Sequence, residues 1–232
     1  MACLLNIETS TAVCSVAVSV NSKLLFEKVS FEGPSHAALL GVFVEEALNK
    51  IKESSLRLDA VAVSGGPGSY TGLRIGVSMA KGLCLGYDIP LISIPTLKIM
   101  ASKIIREKRE EKALYCAMLD ARRMEVYAAI YDDQLKTERE VSADIVTAET
   151  YASYLVDNKV YFFGNGAAKC CEVINSRHAI FIDDIYPLAM DMLPLSEEAY
   201  NNNQFEDVAY YEPFYLKEFV ATTPKNKVLG KQ

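Results

Sequence analysis

An apolar run at Ala60 to Ser64 gives way to Gly65-Gly66-Pro67-Gly68-Ser69-Tyr70-Thr71-Gly72-Leu73-Arg74-Ile75-Gly76, and a helical pattern runs from about Thr71 to Leu85. Three glycines and a proline in succession force an unusual backbone between a strand and a helix. Two readings of this stretch stay open: a tight strand-to-helix turn, or a helix N-terminus that receives an anion. It is not a Walker A loop, because no Gly-Lys-Ser/Thr follows at the required spacing, and it is not a GxSxG elbow.

Around this junction the chain alternates strand and helix. Cys3 to Ile7 and Ser15 to Val20 read as strands, the second with Val16, Val18 and Val20 on one face, joined by the small polar link Glu8 to Val13. A helix from Pro34 to Lys52 opens with a proline and a serine, and Pro90 to Ile94 is a further short strand. The opening theme then returns. Leu114 to Leu119 ends in Asp120, and an alternating strand follows from Glu125 to Tyr131.

Leu5-Asn6-Ile7-Glu8-Thr9-Ser10 and Ala117-Met118-Leu119-Asp120-Ala121-Arg122 each place an acid at a strand end before a hairpin, with Glu8 and Asp120 112 residues apart. The pattern predicts an α/β protein of two related lobes, residues 1–112 and 113–221. Residues 101–112 (ASKIIREKREEK) predict a helix with a solvated charged face, and 222–232 a disordered polar tail with Lys225, Lys227 and Lys231.

Composition narrows the functional classes. With 24 basic against 30 acidic residues the net charge is −6, which gives no overall pull toward nucleic acid or an anionic membrane. Cys3, Cys14, Cys84, Cys116, Cys170 and Cys171 form no CxxC pair or framework, as suits reduced thiols in a cytoplasmic protein. Met1 to Ser10 lacks the form of a signal peptide, and no run reaches the ~18 apolar residues of a membrane span.

In actin-like ATPases, an acid at the end of the first strand and small hydroxyl residues in its hairpin hold phosphates and metal-bound water. Glu8, Thr9, Ser10 and Thr11 stand in such a turn here, and with Gly66 and Gly68 they make a candidate degenerate nucleotide or phosphate site. The competing reading is that the Thr and Ser side chains satisfy their own turn. His36 has Leu40, not a second histidine, four residues on, and His178 is remote, so no helical metal pair is visible. His36 is expected as a surface or capping residue, and no local signature supports a serine-protease triad.

The first helix is apolar on nearly every side from Ala37 to Val44, more than its own sheet can cover. The second carries Gly72, Gly76, Gly82 and Gly86, an apolar line of Ile75, Met79 and Leu83, and a polar line of Arg74, Ser78 and Lys81. Glycines inside a helix cost roughly 1 kcal/mol each relative to alanine, and the return is close approach of another backbone. Leu39, Leu40, Phe43, Val44, Ala47, Ile75, Gly76, Met79 and Leu83 are therefore candidate partner-interface residues. The alternative, a first helix wholly buried in its own domain, stays open.

Ile7-Glu8-Thr9-Ser10-Thr11, the Gly66 to Gly76 stretch, Ala80-Lys81-Gly82, Leu119-Asp120-Ala121-Arg122 and Glu125-Val126-Tyr127 together resemble the bacterial TsaB family, also called YeaZ. The resemblance covers the first 130 residues. Tyr215-Leu216-Lys217 is similar to the family's closing segment, and residues 135 to 205 match loosely. The resemblance implies an actin-like (ASKHA, ribonuclease-H-like) fold. It also implies a dimerisation subunit of the complex that makes N6-threonylcarbamoyladenosine at position 37 of tRNAs reading codons that begin with A.

In that complex a metal-bearing paralogue, TsaD, transfers the group, and a TsaE ATPase binds at the joint. The two N-terminal helices form a bundle with the partner, and such an exposed patch also favours homodimers when the partner is absent. The resemblance implies no catalytic or metal residues of the chain's own, contact with tRNA only indirectly, and room for no more than weak ATP or ADP binding at the complex interface. Nothing in the sequence supports the family's older glycoprotease label. The rival reading is an ATP-binding phosphotransferase or ATPase using Thr9 to Thr11 and the Gly65 to Gly72 turn, with a purely structural homodimer as a third.

Overall fold

The computed structural model describes residues 2–33 and 36–216. The first half gives β1 (Cys3–Glu8), β2 (Cys14–Val20), β3 (Lys23–Ser30), α1 (His36–Glu53), β4 (Ala60–Ser64), α2 (Tyr70–Tyr87), β5 (Leu91–Ile94) and α3 (Thr96–Lys108). The second gives β6 (Leu114–Asp120), β7 (Glu125–Tyr131), β8 (Thr137–Ile145), β9 (Val160–Phe163) and β10 (Ala179–Ile182), then a 3₁₀ turn at Ala189–Met192 and α4 (Leu193–Asn201).

Each half builds one five-stranded sheet, in the orders β3-β2-β1-β4-β5 and β10-β9-β6-β7-β8. Read outward from β1 or β6, both have an antiparallel meander on one side and parallel strands on the other. Glu8 and Asp120 end the two equivalent strands. This is the duplicated actin-like, ribonuclease-H-like arrangement that the repeated acid-hairpin units predict.

Strand β1 is buried along its whole length because both faces of its sheet are covered. Cys3, Leu5 and Ile7 meet Leu40, Val44, Ala47 and Ile51 of α1 and Val77, Ala80 and Cys84 of α2. Those α1 positions recur at helical spacing, and burying each large side chain contributes about 1.5–3 kcal/mol. On the opposite face Ala2 and Leu4 meet Ile92, Met192, Leu195 and Ala199. The second sheet is likewise covered on both sides, with Tyr115 and Phe163 on one face and Phe162 and Cys116 on the other. Five of the six cysteines are buried and only Cys171 is exposed, all as free thiols.

Within the stretch expected as the second lobe, 113–221, the chain returns to the first sheet at Ala189, whose N–H donates to Ser15 Oγ at 2.9 Å. Met192, Leu195 and Ala199 then pack under β1 and β5, and Glu206 N–H donates to the Leu91 carbonyl of the edge strand β5. Small residues on that face, Ala17, Ala60 and Ala62, leave a surface that needs this cover.

The charged stretch after residue 100 has the expected solvated face, with Arg106, Glu107, Lys108, Arg109, Glu111 and Lys112 exposed, and an apolar face opposite. Ala101, Ile104 and Ile105 are buried against the second sheet, and Arg106 pairs with the buried Asp191 at 2.8 Å. The expected tail, 222–232, with its three lysines, lies outside the described residues, as does Lys217. No helix among the described residues is long and apolar enough to cross a membrane.

Candidate functional site

The glycine junction and the first hairpin, far apart in sequence, are pressed together. Ser69 caps α2, its side chain accepting from Gly72 N–H, and its own N–H donates to the Ser10 carbonyl at 2.7 Å. Thr9 Oγ1 donates to the Gly72 carbonyl at 2.8 Å. A side chain at Gly72 would strike the Thr9 carbonyl and one at Gly76 the Thr9 hydroxyl, while Gly68 lies against Ser10. Gly66 sits at φ +101, the left-handed half of the backbone map that favours glycine, with the Phe214 carbonyl against it.

Of the two readings, the geometry therefore supports the tight turn. At the candidate phosphate site of Glu8, Thr9, Ser10, Thr11, Gly66 and Gly68, the hairpin backbone packs directly on the start of α2 through Thr9 and Ser10.

Glu8 lies fully buried at the base of this contact. Its Oε1 accepts the Ser10 N–H at 2.5 Å, and among the described residues its Oε2 has no hydrogen-bond partner of good geometry. Burial pushes the carboxyl up to about 7; the Ser10 side chain, the Ser10 amide and the Ser64 hydroxyl pull the other way without cancelling it. Cys14 is pushed up to about 11, by burial first and then by the Glu8 charge. The equivalent acid of the second lobe has the opposite environment: Asp120 is exposed and paired with Lys169, which also donates to the Arg123 and Glu125 carbonyls at 2.6 Å. One fold position thus holds a buried acid whose proton affinity is raised in one lobe and an ion-paired surface acid in the other.

His36 is not a surface residue, contrary to expectation. It is buried, and its Nε2 donates to the Thr11 carbonyl at 2.7 Å, tying the start of α1 to the hairpin. Among the described residues no three His, Cys, Asp or Glu side chains come together in a way that could hold a metal ion.

The nine candidate interface residues divide. Leu40, Val44 and Ala47 form one stripe of α1 that faces the sheet in the chain's own core, and Gly76 on α2 lies against the Thr9 hydroxyl. Leu39 and Phe43 are half-buried on α1, beside the exposed Val42. Ile75, Met79 and Leu83 are half-buried on α2 and, with Tyr70, Thr71, Arg74, Ser78 and Gly82, line a shallow groove of about 720 Å³. Gly72 and Gly76 receive the chain's own hairpin, whereas Gly82 and Gly86 face open space with nothing within 4 Å.

The sequence reading missed what borders this groove. A strap, residues 206–216, crosses the glycine junction: Phe214 N–H donates to the Gly65 carbonyl at 2.7 Å, Tyr211 and Ser93 hydroxyls meet at 2.7 Å, and Lys81 Nζ donates to the Ala209 carbonyl at 3.2 Å. At its end Tyr215 packs on Tyr70, with ring centroids 4.8 Å apart. The strap has no local periodicity by which a sequence could announce it.

Residues 32–224 match the family model described as TsaD, tRNA N6-adenosine threonylcarbamoyltransferase. A relative from Escherichia coli strain K12, named tRNA threonylcarbamoyladenosine biosynthesis protein TsaB, is 30% identical over 99% of each chain. One of the same name from Haemophilus influenzae is 27% identical over 94% of each. The solved structure of YeaZ from Pseudomonas aeruginosa superposes with a TM-score of 0.76 at 27% identity, covering 93% of this chain and 100% of that one.

Proposed function

The chain belongs to the bacterial TsaB (YeaZ) family, and on that premise we propose that it serves tRNA N6-threonylcarbamoyladenosine biosynthesis as a non-catalytic, partner-binding subunit. Its partner in this reading is a TsaD-type paralogue, which performs the threonylcarbamoyl transfer to adenosine 37. The observation that carries the reading is the outer face of α2. Ile75, Met79, Leu83 and Gly82 line an open groove there, and on α1 Val42 is exposed with Leu39 and Phe43 half-buried.

A helix with apolar side chains and bare glycine on its outer face suits close packing against another helix, since the missing side chains let backbones approach. That the TsaD family model matches most of this chain supports a partner with corresponding helices, so that like elements can pair about a pseudo-twofold axis.

The rival phosphotransferase reading needs an anion at the start of α2, and the Thr9 and Ser10 backbone weighs against it there. The test is reconstitution: the TsaD-type protein of the same organism, its threonylcarbamoyl-adenylate donor, the TsaE-type ATPase and tRNA, with and without this chain, alongside this chain alone. Transfer that requires both proteins supports the reading. Transfer by this chain alone, or by the paralogue unaided, rejects it.

A further inference from the structure

Strand β5 is an outer edge of the first sheet, and its pairing with the returning chain stops after one residue. Its parallel register with β4, in which the Val61 and Gly65 N–H groups donate to the Pro90 and Ile94 carbonyls, turns the main-chain groups of alternate residues inward. The N–H and C=O of Leu91 and Ser93 therefore face the free side. Glu206 N–H takes the Leu91 carbonyl there, and an antiparallel strand continuing that pairing would set Gln204 opposite Ser93. Gln204 N–H donates instead to the Ala199 carbonyl at the end of α4, at 2.9 Å. The place of one strand residue is left open, and Ser93, Gln204 and Glu206 border a cavity of about 370 Å³ beside it, at the small end of ligand sites.

The lining of this cavity carries both signs of charge. Lys98 of α3 is half-buried, and Glu198 of α4 and Glu206 are exposed. Among the described residues no ion pair joins Lys98 to either acid, so the opposite charges are not spent on each other. Ile94 and Leu195, both buried, add an apolar patch. We propose that the cavity binds a small apolar α-amino acid as its zwitterion, with the carboxylate on Lys98, the ammonium group on Glu198 and Glu206, and the side chain against Ile94 and Leu195. The ligand's carboxylate accepts the Ser93 N–H and its ammonium group donates to the Ser93 carbonyl, the exchange that a directly opposed strand residue makes. Two acids beside one lysine disfavour a phosphate. No third acid, histidine or cysteine joins them to hold a metal ion among the described residues. This site is independent of the paralogue and stands or falls without it.

The test titrates the full chain by calorimetry at pH 7 with L-valine, L-leucine and L-threonine, and then with the N-acetyl and the amide derivative of whichever binds best. Each derivative removes one of the two charges, so both should bind on the order of tenfold more weakly or worse than the free amino acid. Lys98→Gln and the double variant Glu198→Gln, Glu206→Gln should each lose affinity by a similar factor, and thermal melts should show that both variants keep the wild-type melting temperature. Lys98→Gln should leave the already weak binding of the amide unchanged, because the carboxylate it serves is gone. If none of the three amino acids binds at up to about 10 mM, the proposal is overturned. Binding that survives either derivative or either variant at full strength overturns it as well, since the ligand then lies elsewhere or is held without its charges.

Discussion

Replacing Glu8 by glutamine should make the protein more stable above neutral pH and leave it nearly unchanged in mild acid. In the folded chain burial holds the carboxyl at about 7, against 4.5 for the free group. Between those values the unfolded chain has released its proton while the folded chain keeps it, so stability falls as pH rises through this window and levels off just above 7. Each tenfold change in proton affinity is about 1.4 kcal/mol, so the full loss is about 3 kcal/mol. No discount for solvent applies, since Glu8 is wholly buried.

Glutamine keeps the acceptor for the Ser10 amide, can donate to the nearby Ser10 or Ser64 hydroxyl, and carries no charge to desolvate. Chemical denaturation at pH 5 and pH 8.5 should therefore show the gap between Glu8→Gln and wild type widening by roughly 2–3 kcal/mol in favour of the variant. In a chain of this size that is roughly 5–10 °C in melting temperature. Stability curves that run parallel across this range would refute the claim that the buried acid is neutral in the fold.

Two glycines of one helix should respond oppositely to alanine. Gly82→Ala, facing open space, should gain up to about 1 kcal/mol from helix propensity, whereas Gly72→Ala, against the Thr9 carbonyl, should lose about 1–3 kcal/mol in denaturant titrations. In the second lobe Asp144 accepts two bonds from Arg139 at 2.6 Å and one from the buried Tyr151 hydroxyl at 2.7 Å. Asp144→Ala strands both donors and should cost about 3 kcal/mol by the same titration. A carboxylate at Met79 or Phe43, as Met79→Asp or Phe43→Asp, should weaken paralogue binding by calorimetry, with circular dichroism confirming that the fold is kept; undiminished binding would move the interface elsewhere.

The local order of this chain was readable because it is written in short windows. Alternation along β2, the glycine-proline junction and the apolar spacing of α1 each express a backbone preference that near neighbours decide. The acid-hairpin unit was readable twice over, and its recurrence predicted two lobes of one topology. What these windows cannot hold is orientation. A helix apolar on every side looks equally suited to a sheet and to a partner; the structure gives Leu40, Val44 and Ala47 to the sheet, leaves Val42 exposed and half-buries Leu39 and Phe43.

The amino-acid sequence by itself thus determined the α/β class, the duplicated lobes, the family and the helix with bare glycine. The tertiary structure decided that Gly72 and Gly76 serve the chain's own hairpin while Gly82 and Gly86 remain open, that Glu8 is buried where Asp120 is exposed and ion-paired, and that residues 189–216 return to cover the first sheet. Each of these depends on contact between residues remote in the chain, such as Thr9 with Gly72 across 63 positions and Ser15 with Ala189 across 174. Burial and pairing are properties of such contacts, and no residue carries them before the fold brings its neighbours together.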